Sequence, residues 1–131
     1  MHRDVAWWAG VTHAGRWYVY EVRDLLTQRY FIYLDPGIVS ILGGNKSCQN
    51  YCGYHNNVGK VYYAVMPYPT CNGCLGGMTA FDALTGTSSH ELCEAITDPV
   101  PGSGWYDNAN GEIGDICAWN FKKVEIGRAH V

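Results

Sequence analysis

Two continuous runs of apolar and aromatic residues predict buried strands in the first half of the chain. Residues 30–34 form the first run, which the turn signal Asp35-Pro36-Gly37 closes. Residues 60–66 form the second run, which ends before Pro67. Because a glycine-containing loop separates the two runs, they can lie side by side, and we expect a mainly antiparallel sheet.

A helical spacing of apolar and small residues follows in the second half of the chain. The three- and four-residue intervals predict one long helix, with an interruption at Gly86 left open, whose buried stripe is formed by Met78, Phe81, Leu84, Ser88, Leu92 and Ala95 or Ile96. Asp98-Pro99 ends this helix because a residue before proline disfavours helical backbone. His90, Glu91 and Glu94 fall mostly outside the stripe and are expected to face a cleft.

The remaining segments define the expected domain. Residues 1–28 are strongly aromatic without a clear period and stay ill-defined. Residues 29–124 are expected to form one α+β domain, with the sheet packed on the long helix. Asn110-Gly111, between apolar runs, is a hairpin signal. Residues 125–131 resemble the translation of a sequencing adapter read in frame, so we treat them as an artefact and expect a fragment truncated at both ends.

Composition narrows the class of protein. The 131 residues are enough for a single core, and a charged fraction of 16% with a net charge of -3 gives no electrostatic footprint for nucleic acid or for an anionic membrane. No apolar run approaches the roughly 20 residues that span a bilayer. The six cysteines, an even number, favour disulfides and hence an extracellular, secreted protein, although the first residues do not form a secretory signal.

The segment from residue 89 to residue 99 carries the candidate chemistry. On a helix, His90 and Glu94 project from one face, so an imidazole nitrogen and a carboxylate can reach one divalent ion, with Glu91 beside them as a proton acceptor. The pattern differs from H-E-x-x-H, in which both helix ligands are histidines, only at Glu94. A second interpretation is a capping box, in which Glu91 bonds back to the Ser88 backbone and takes no part in catalysis.

A catalytic zinc site needs a third protein ligand. The downstream candidates are four carboxylates, those of Asp98, Asp107, Glu112 and Asp115. Glu112 and Asp115 lie 18 and 21 residues beyond Glu94, a spacing at which a returning segment can cross the helix, and we favour Asp115 narrowly. Asp98 lies at the helix end and serves either as a ligand or as a residue that orients His90.

Together these residues predict a zinc-dependent hydrolase. An ion held by His90, Glu94 and a downstream carboxylate lowers the pKa of water toward roughly 7. Glu91 then takes the proton of the water and later passes it to a leaving amine, so a peptide or protein is the expected substrate. Because carboxylates supply most of the ligands, another oxygen-preferring divalent ion, or a metal site without catalysis, stays open.

Other residues invite weaker interpretations. His55 can be a ligand or an oxyanion donor, and a structural role is the favoured interpretation for a lone histidine in an aromatic loop. Cys71 and Cys74 favour structural disulfide partners over a redox pair, because a glycine-rich turn follows them. Cys93 is expected to form a bridge to Cys117 or to pack as a small buried side chain.

Residues 90–98 resemble the active-site helix of thermolysin-type zinc metallopeptidases, which share the pattern H-E-L-x-x-A-x-T-D. In those enzymes a glutamate further along the chain supplies the third ligand, which implies Glu112 or Asp115 here. The chain departs from that pattern at the second zinc histidine, where it has Glu94.

Residues 30–119 resemble more broadly a group of secreted bacterial and fungal proteins that carry S-H-E-L-x-E-A-x-T-D-P, W-Y-D and G-E-I-G-D, which stand here at residues 89–99, 105–107 and 111–115. That group is distantly similar to the exordium-like, phosphate-induced proteins of plants, through residues 52–55 and the cysteine pair near Cys71. The resemblance implies a zincin-like domain and a secreted, peptidase-like enzyme. The alternative it implies is a non-catalytic extracellular module that acts at the cell wall or on carbohydrate.

Overall fold

The computed structural model describes residues 17–23 and 28–120, so the adapter-like residues 125–131 lie outside the described part of the chain. The first two strands, β1 (Trp17–Arg23) and β2 (Gln28–Leu34), pair in antiparallel fashion. The sheet therefore includes residues before position 29, where the sequence places the start of the domain.

The sheet is completed by two strands from the middle of the chain. A small separate hairpin of β3 (Ile41–Leu42) and β4 (Asn45–Lys46) follows β2. The chain then enters β5 (Tyr54–Val58), turns at Gly59 and returns as β6 (Val61–Met66). The strand order in the four-stranded sheet is β1-β2-β6-β5.

The two strands predicted from apolar runs are confirmed as β2 and β6, and they are neighbours. They pair in parallel, with Phe31 opposite Ala64, whereas β5 and β6 are antiparallel. The sheet is thus mixed, and the expectation of a mainly antiparallel sheet holds only in part. The reason is topological: β5 runs opposite to β2, so the hairpin that follows it brings β6 back in the direction of β2.

The long helix α2 (Ala80–Thr97) packs against this sheet, and α1 (Asn72–Leu75) precedes it. Thr79 caps the N-terminus of α2 by accepting a hydrogen bond from the Asp82 backbone N–H. The predicted end at Asp98-Pro99 is confirmed, and the helix continues through Gly86. The capping box of Ser88 and Glu91 is wrong, because Ser88 lies in the middle of the helix and donates its hydroxyl to the Leu84 carbonyl.

The buried face of α2 differs from the predicted apolar stripe. Phe81 is 77% exposed, although it was predicted to be buried, and of the alternatives Ala95 and Ile96 it is Ala95 that is buried. The buried residues of the helix are instead Ala83, Glu91, Glu94 and Ala95. Glu91 and Glu94 turn inward because a buried histidine of the sheet, His55, lies opposite them. Ionic contacts thus bury two carboxylates that the helical spacing placed outside the buried stripe.

The hydrophobic core lies between the central strands and the helix. Phe31, Ala64 and Met66 form its fully buried part. Tyr33, Leu84 and Leu92 pack around them while partly exposed. Phe31, Ala64 and Met66 all lie on β2 or β6, so the two predicted strands form the apolar surface against which α2 packs.

Two disulfides link the loop before β5 to the segment of α1, namely Cys48–Cys71 and Cys52–Cys74. Loops of this size make each bridge worth about 3 kcal/mol of stability in the chain-entropy description. The structural role predicted for Cys71 and Cys74 is therefore confirmed. The predictions for the other pair are wrong: Cys93 and Cys117 are free and exposed.

The last described segment forms a turn and a short helix. Asp107 accepts hydrogen bonds from the backbone of Ala109 and Asn110, and Gly111 follows with φ of 92°. Residues 112–119 were expected to be the second arm of a hairpin, but α3 (Ile113–Ile116) forms here. The cause is a capping box in which the N-cap Glu112 and Asp115 each bond the other's backbone N–H.

None of the helices in the described residues combines the length and apolar character that a bilayer span requires.

Candidate metal centre

Three elements bring ionisable side chains to one place beside the middle of α2. The helix itself carries His90, Glu91 and Glu94. Strand β5 presents His55, and the turn into α3 adds Glu112 and Asp115. Four carboxylates, together with the backbone carbonyl of Asp98 at the helix end, thus surround two imidazoles.

The outer side of this cluster contains the ligands favoured by the sequence. His90 Nε2 lies 2.9 Å from Glu94 Oε1 and 3.7 Å from Asp115 Oδ1. One ligand atom from each of these three residues lies within 4.8 Å of the other two. Ligands bound at about 2.1 Å in a tetrahedron are roughly 3.4 Å apart, so the spacing fits a shared divalent ion.

The Glu94 carboxylate provides the most informative detail. Its Oε1 atom is buried and accepts no hydrogen bond from the described residues, although His90 Nε2 is 2.9 Å away. The ring N–H therefore does not point at this oxygen. A buried carboxylate oxygen without a well-aligned donor is costly unless a cation or water satisfies it, so these two atoms are available to bind one shared ion.

Two glycines explain why the G-E-I-G-D segment approaches the helix so closely. A Cβ atom at Gly114 would lie 2.7 Å from Glu94 Oε1 and 2.8 Å from His90 Nδ1, so a side chain there would displace both groups. Gly111 has a left-handed backbone, and a Cβ there would collide with the Asp115 carboxylate. Both glycines are needed to bring Asp115 to His90.

His55 occupies the inner side of the cluster. Its Nδ1 lies 3.3 Å from Glu91 Oε2 and 3.6 Å from Glu94 Oε2. Its Nε2 lies 3.1 Å from the carbonyl oxygen of Asp98. Because a carbonyl only accepts, Nε2 carries a proton, and because the pKa of His55 is raised to about 10, Nδ1 is protonated as well and donates to the Glu91 carboxylate. Both ring nitrogens of His55 are therefore donors in a buried, charged imidazole.

The electrostatics of His55 agree with this protonation state. Burial opposes the charged form, but the contacts with Glu91 and Glu94, the charge of Glu112 and the Asp98 carbonyl outweigh it and raise the pKa of His55 to about 10. For Glu94, burial raises the pKa, but the contacts with His55 and His90 are stronger together and lower it to about 2. Glu94 is thus an anion held between two imidazoles.

In contrast to Glu94, the glutamates Glu91 and Glu112 beside His55 have raised pKa values. Burial is the main cause that raises the pKa of Glu91. Burial, together with the charges of Glu94 and Asp98, raises the pKa of Glu112 to about 7. A carboxyl group with a raised pKa is able to take and return a proton near neutral pH, which is the property a general base requires.

Two further groups of potential ligands can be distinguished from the outer one. His55, Glu94 and Glu112 also have ligand atoms within 4.8 Å of one another, and Glu112 Oε1 is buried without a hydrogen-bond partner among the described residues. Since both nitrogens of His55 act as donors, this inner group is occupied by a protonated imidazole. A third group consists of Cys48, Cys71 and Cys74, whose sulfurs are engaged in the disulfides.

The position of Asp98 differs from both predicted roles, that of a metal ligand and that of a residue that orients His90. It is completely buried, and its carboxylate accepts hydrogen bonds from the backbone N–H groups of Gly102, Ser103 and Gly104. These contacts lower the pKa of Asp98 against the effect of its burial. Asp98 reaches the cluster through its carbonyl oxygen on His55. The expectation that it orients His90 is therefore wrong, since it orients the other imidazole.

A cleft of about 410 Å³ opens beside the outer ligands. His90, Glu91 and Asp115 form part of its wall, and much of the remainder comes from the disulfide-linked loop at residues 48–53. Glu91 therefore contacts His55 on one side and borders the cleft on the other. A molecule in the cleft would meet two of the predicted ligands, His90 and Asp115, and the predicted general base together.

The main functional residue that sequence reasoning underestimated is His55. It lies 36 residues before Glu91, and no spacing rule connects a strand residue with a helix residue across that distance. The available signal was a histidine close to a cysteine that the fold fixes in place, since the Cys52–Cys74 bridge comes immediately before β5. Glu112, predicted as an alternative ligand, lies on the His55 side of the cluster.

No protein-family model, curated protein or solved structure matches this chain. The resemblances in residues 89–115 consequently stay predictions, and the function is argued from the geometry of the site.

Proposed function

We propose that this chain is a metal-dependent hydrolase of peptide bonds, with one divalent ion, zinc in the first instance, held by His90, Glu94 and Asp115. The observation that carries the proposal is Glu94 Oε1, a buried carboxylate oxygen that meets no well-aligned hydrogen-bond donor among the described residues and lies 2.9 Å from His90 Nε2. One imidazole and two carboxylates are a donor set that zinc accepts, and they leave a position for water. Oxygen-preferring ions such as Mn²⁺ compete for the same set.

When bound, such an ion lowers the pKa of a water molecule and polarises the carbonyl of the substrate. Glu91 takes the proton as the water attacks the carbonyl carbon, because its carboxylate borders the cleft and burial raises its pKa. The same carboxyl group then returns the proton to the nitrogen of the leaving amine. His55 holds Glu91 in position through the 3.3 Å contact of Nδ1 with Oε2.

The site resembles a carbonyl hydrolase more than a glycosidase. Glycosidases place two carboxyl groups on opposite sides of the sugar bond, one as acid and one as base or nucleophile. Here Glu94 and Asp115 converge on the same imidazole, His90, which leaves Glu91 as the free carboxyl group on the cleft. This favours a peptide over a carbohydrate as substrate.

The proposal is tested by metal content and hydrolysis measured on the same preparations. We expect protein refolded under oxidising conditions and dialysed against zinc to retain one equivalent by elemental analysis, and to cleave casein or a mixed peptide library. His90→Ala should lose both metal and cleavage. Asp82→Asn, which removes a carboxylate near the start of the same helix, is the matched control and should retain both. Equal metal content in His90→Ala would overturn the assignment of the ligands.

A non-catalytic extracellular module stays the alternative if the protein binds metal and cleaves no peptide. The disulfides are compatible with an extracellular protein. Metal retention without cleavage, over a library that includes all side-chain classes, would favour that alternative.

A further inference from the structure

The cleft beside His90 has a second feature that the proposed chemistry does not use. Cys48 and Trp119 are the two non-glycine residues of the described chain with a positive φ, at 64° and 68°. Both line this cleft. A left-handed backbone costs a residue other than glycine roughly 1–2 kcal/mol, and such conformations concentrate at sites that bind ligands.

Contacts elsewhere in the fold hold each of these residues in place. Cys48 is held by its disulfide to Cys71. The Trp119 ring lies over Gly76, where a Cβ atom would be 3.7 Å from Cε3 of the indole. Gly76 itself is left-handed at the end of α1, and the ring lies at van der Waals distance from it. The indole therefore rests on a fixed backbone surface.

Trp119 nevertheless leaves most of its surface open, since it is 59% exposed. A large, rigid aromatic group that borders a cleft and is more than half exposed offers apolar area at a low entropic cost. The wall nearest to the disulfides is uncharged and contains Gln49, Asn50 and Tyr51. The charged groups of the lining are Glu91, Asp115 and His90, all at the proposed catalytic end.

From this arrangement we propose that Trp119 is a specificity-determining residue that binds an aromatic or large aliphatic side chain of a peptide substrate, next to the bond that is cleaved. The inference rests on the proposed peptidase function. An anionic side chain is disfavoured because the ionisable lining includes two carboxylates and, in the described residues, no lysine or arginine. A volume of about 410 Å³ is in the range of pockets that accept small ligands.

The first test profiles cleavage of a peptide library by mass spectrometry for the wild-type protein and three variants. Wild type should prefer Phe, Tyr, Trp or Leu over Ala and Asp at one position beside the cleaved bond. Trp119→Ala should reduce the ratio of kcat/KM for the Phe and Ala substrates about tenfold or more, equivalent to about 1.4 kcal/mol. Trp119→Phe should keep most of the preference. Trp105→Ala removes another exposed tryptophan, one that does not line the cleft, and should change nothing.

The second test separates this inference from the proposed function. Binding of N-acetyl-phenylalanine amide is measured by ligand-observed NMR with the metal-free protein, so neither metal nor hydrolysis is needed. Binding that is lost in Trp119→Ala supports the inference even if no peptide is cleaved. An unchanged cleavage profile in folded Trp119→Ala overturns it, as does the absence of amide binding. Binding of an oligosaccharide such as chitotriose in place of the amide also overturns it.

Discussion

Two imidazoles flank the Glu94 carboxylate, and their surroundings are different. The His90 side chain is 22% exposed and borders the cleft, with Glu94 Oε1 beside it in a contact that is not a hydrogen bond. The His55 side chain is 3% exposed, and both of its nitrogens have acceptors. In the proposed function the outer histidine shares a metal ion with its neighbours, whereas the inner histidine is itself the cation.

This difference assigns separate roles to residues of the same type. Removing the outer histidine should affect metal binding and leave the fold intact. Removal of the inner histidine should destabilise the fold, because Glu91 and Glu94 would lose their buried countercharge. Variants on the two sides of Glu94 therefore test the contrast directly.

The largest effect is expected for Glu91, which contacts His55 on the inner side and borders the cleft on the outer side. Glu91→Gln removes the proton acceptor but keeps the size of the side chain and a partner for His55 Nδ1. We expect about 10²- to 10⁴-fold lower kcat with unchanged metal content, measured with a fluorogenic peptide and by elemental analysis. Undiminished hydrolysis by Glu91→Gln would exclude Glu91 as the general base.

The next effect concerns stability on the inner side. His55→Ala should lower the free energy of unfolding by about 3–5 kcal/mol in urea titrations of the metal-free protein, since it leaves buried carboxylates without their partner. His90→Ala, on the partly exposed outer side, should lower the free energy of unfolding by about 1 kcal/mol or less under the same conditions. Equal losses of unfolding free energy for the two variants would show that the two imidazoles contribute equally to stability, against the difference described above.

A smaller effect is expected from the close approach of α3. Gly114→Ala places a methyl group 2.7 Å from Glu94 Oε1 and so should displace the outer ligands. We expect about 10- to 100-fold weaker zinc affinity in competition with a chelating dye, the loss typical of disturbed ligand orientation. Gly73→Ala is the control, because a Cβ atom there meets nothing within 4 Å. Unchanged zinc affinity in Gly114→Ala would show that the close approach of α3 does not contribute to zinc binding.

The dependence of metal-free stability on pH is the smallest effect. The pKa of His55 is raised from 6.5 to about 10, so its contribution is complete below pH 6.5 and is lost as the pH rises through 10. Glu112, raised from 4.5 to about 7, adds a loss in the same direction between these values. Glu94, lowered to about 2, loses its contribution as the pH falls from 4.5 to 2.

Thermal melts in EDTA should accordingly show a maximum near pH 5 to 6 and a decline toward pH 10. His55→Gln should flatten the decline above pH 6.5 and should also weaken the acidic limb, because His55 is one of the two imidazoles that lower the pKa of Glu94. A wild-type curve that rises from pH 6.5 to 10 would be incompatible with a buried, charged His55.

The contrast also explains how much of the molecule the sequence could predict. Strands β2 and β6, the end of α2 and the ligand pair His90 and Glu94 follow from local patterns, because each depends on neighbours in the chain. The partnership of Glu91 with His55 does not, since it depends on the position of β5 beside the helix. For the same reason the helical spacing placed Glu91 and Glu94 outside the buried stripe, although both are buried.

Residues 112–119 show a different limit of local patterns. Their apolar residues and the preceding Asn110-Gly111 are typical of a hairpin, but Glu112 and Asp115 satisfy each other's backbone N–H and favour a helical turn. The cysteines show a third limit: an even number predicts bridges, whereas the partners depend on which segments the fold brings together. Cys93 and Cys117 are not bridged and remain exposed thiols.

The most direct measurement is the zinc content of wild type, His90→Ala and His55→Gln, prepared and dialysed side by side. The account predicts one equivalent for wild type, none for His90→Ala, and one for folded His55→Gln, whose metal-free form should melt at a lower temperature. Zinc that is retained in His90→Ala but lost in His55→Gln would contradict it, as would two equivalents in the wild-type protein.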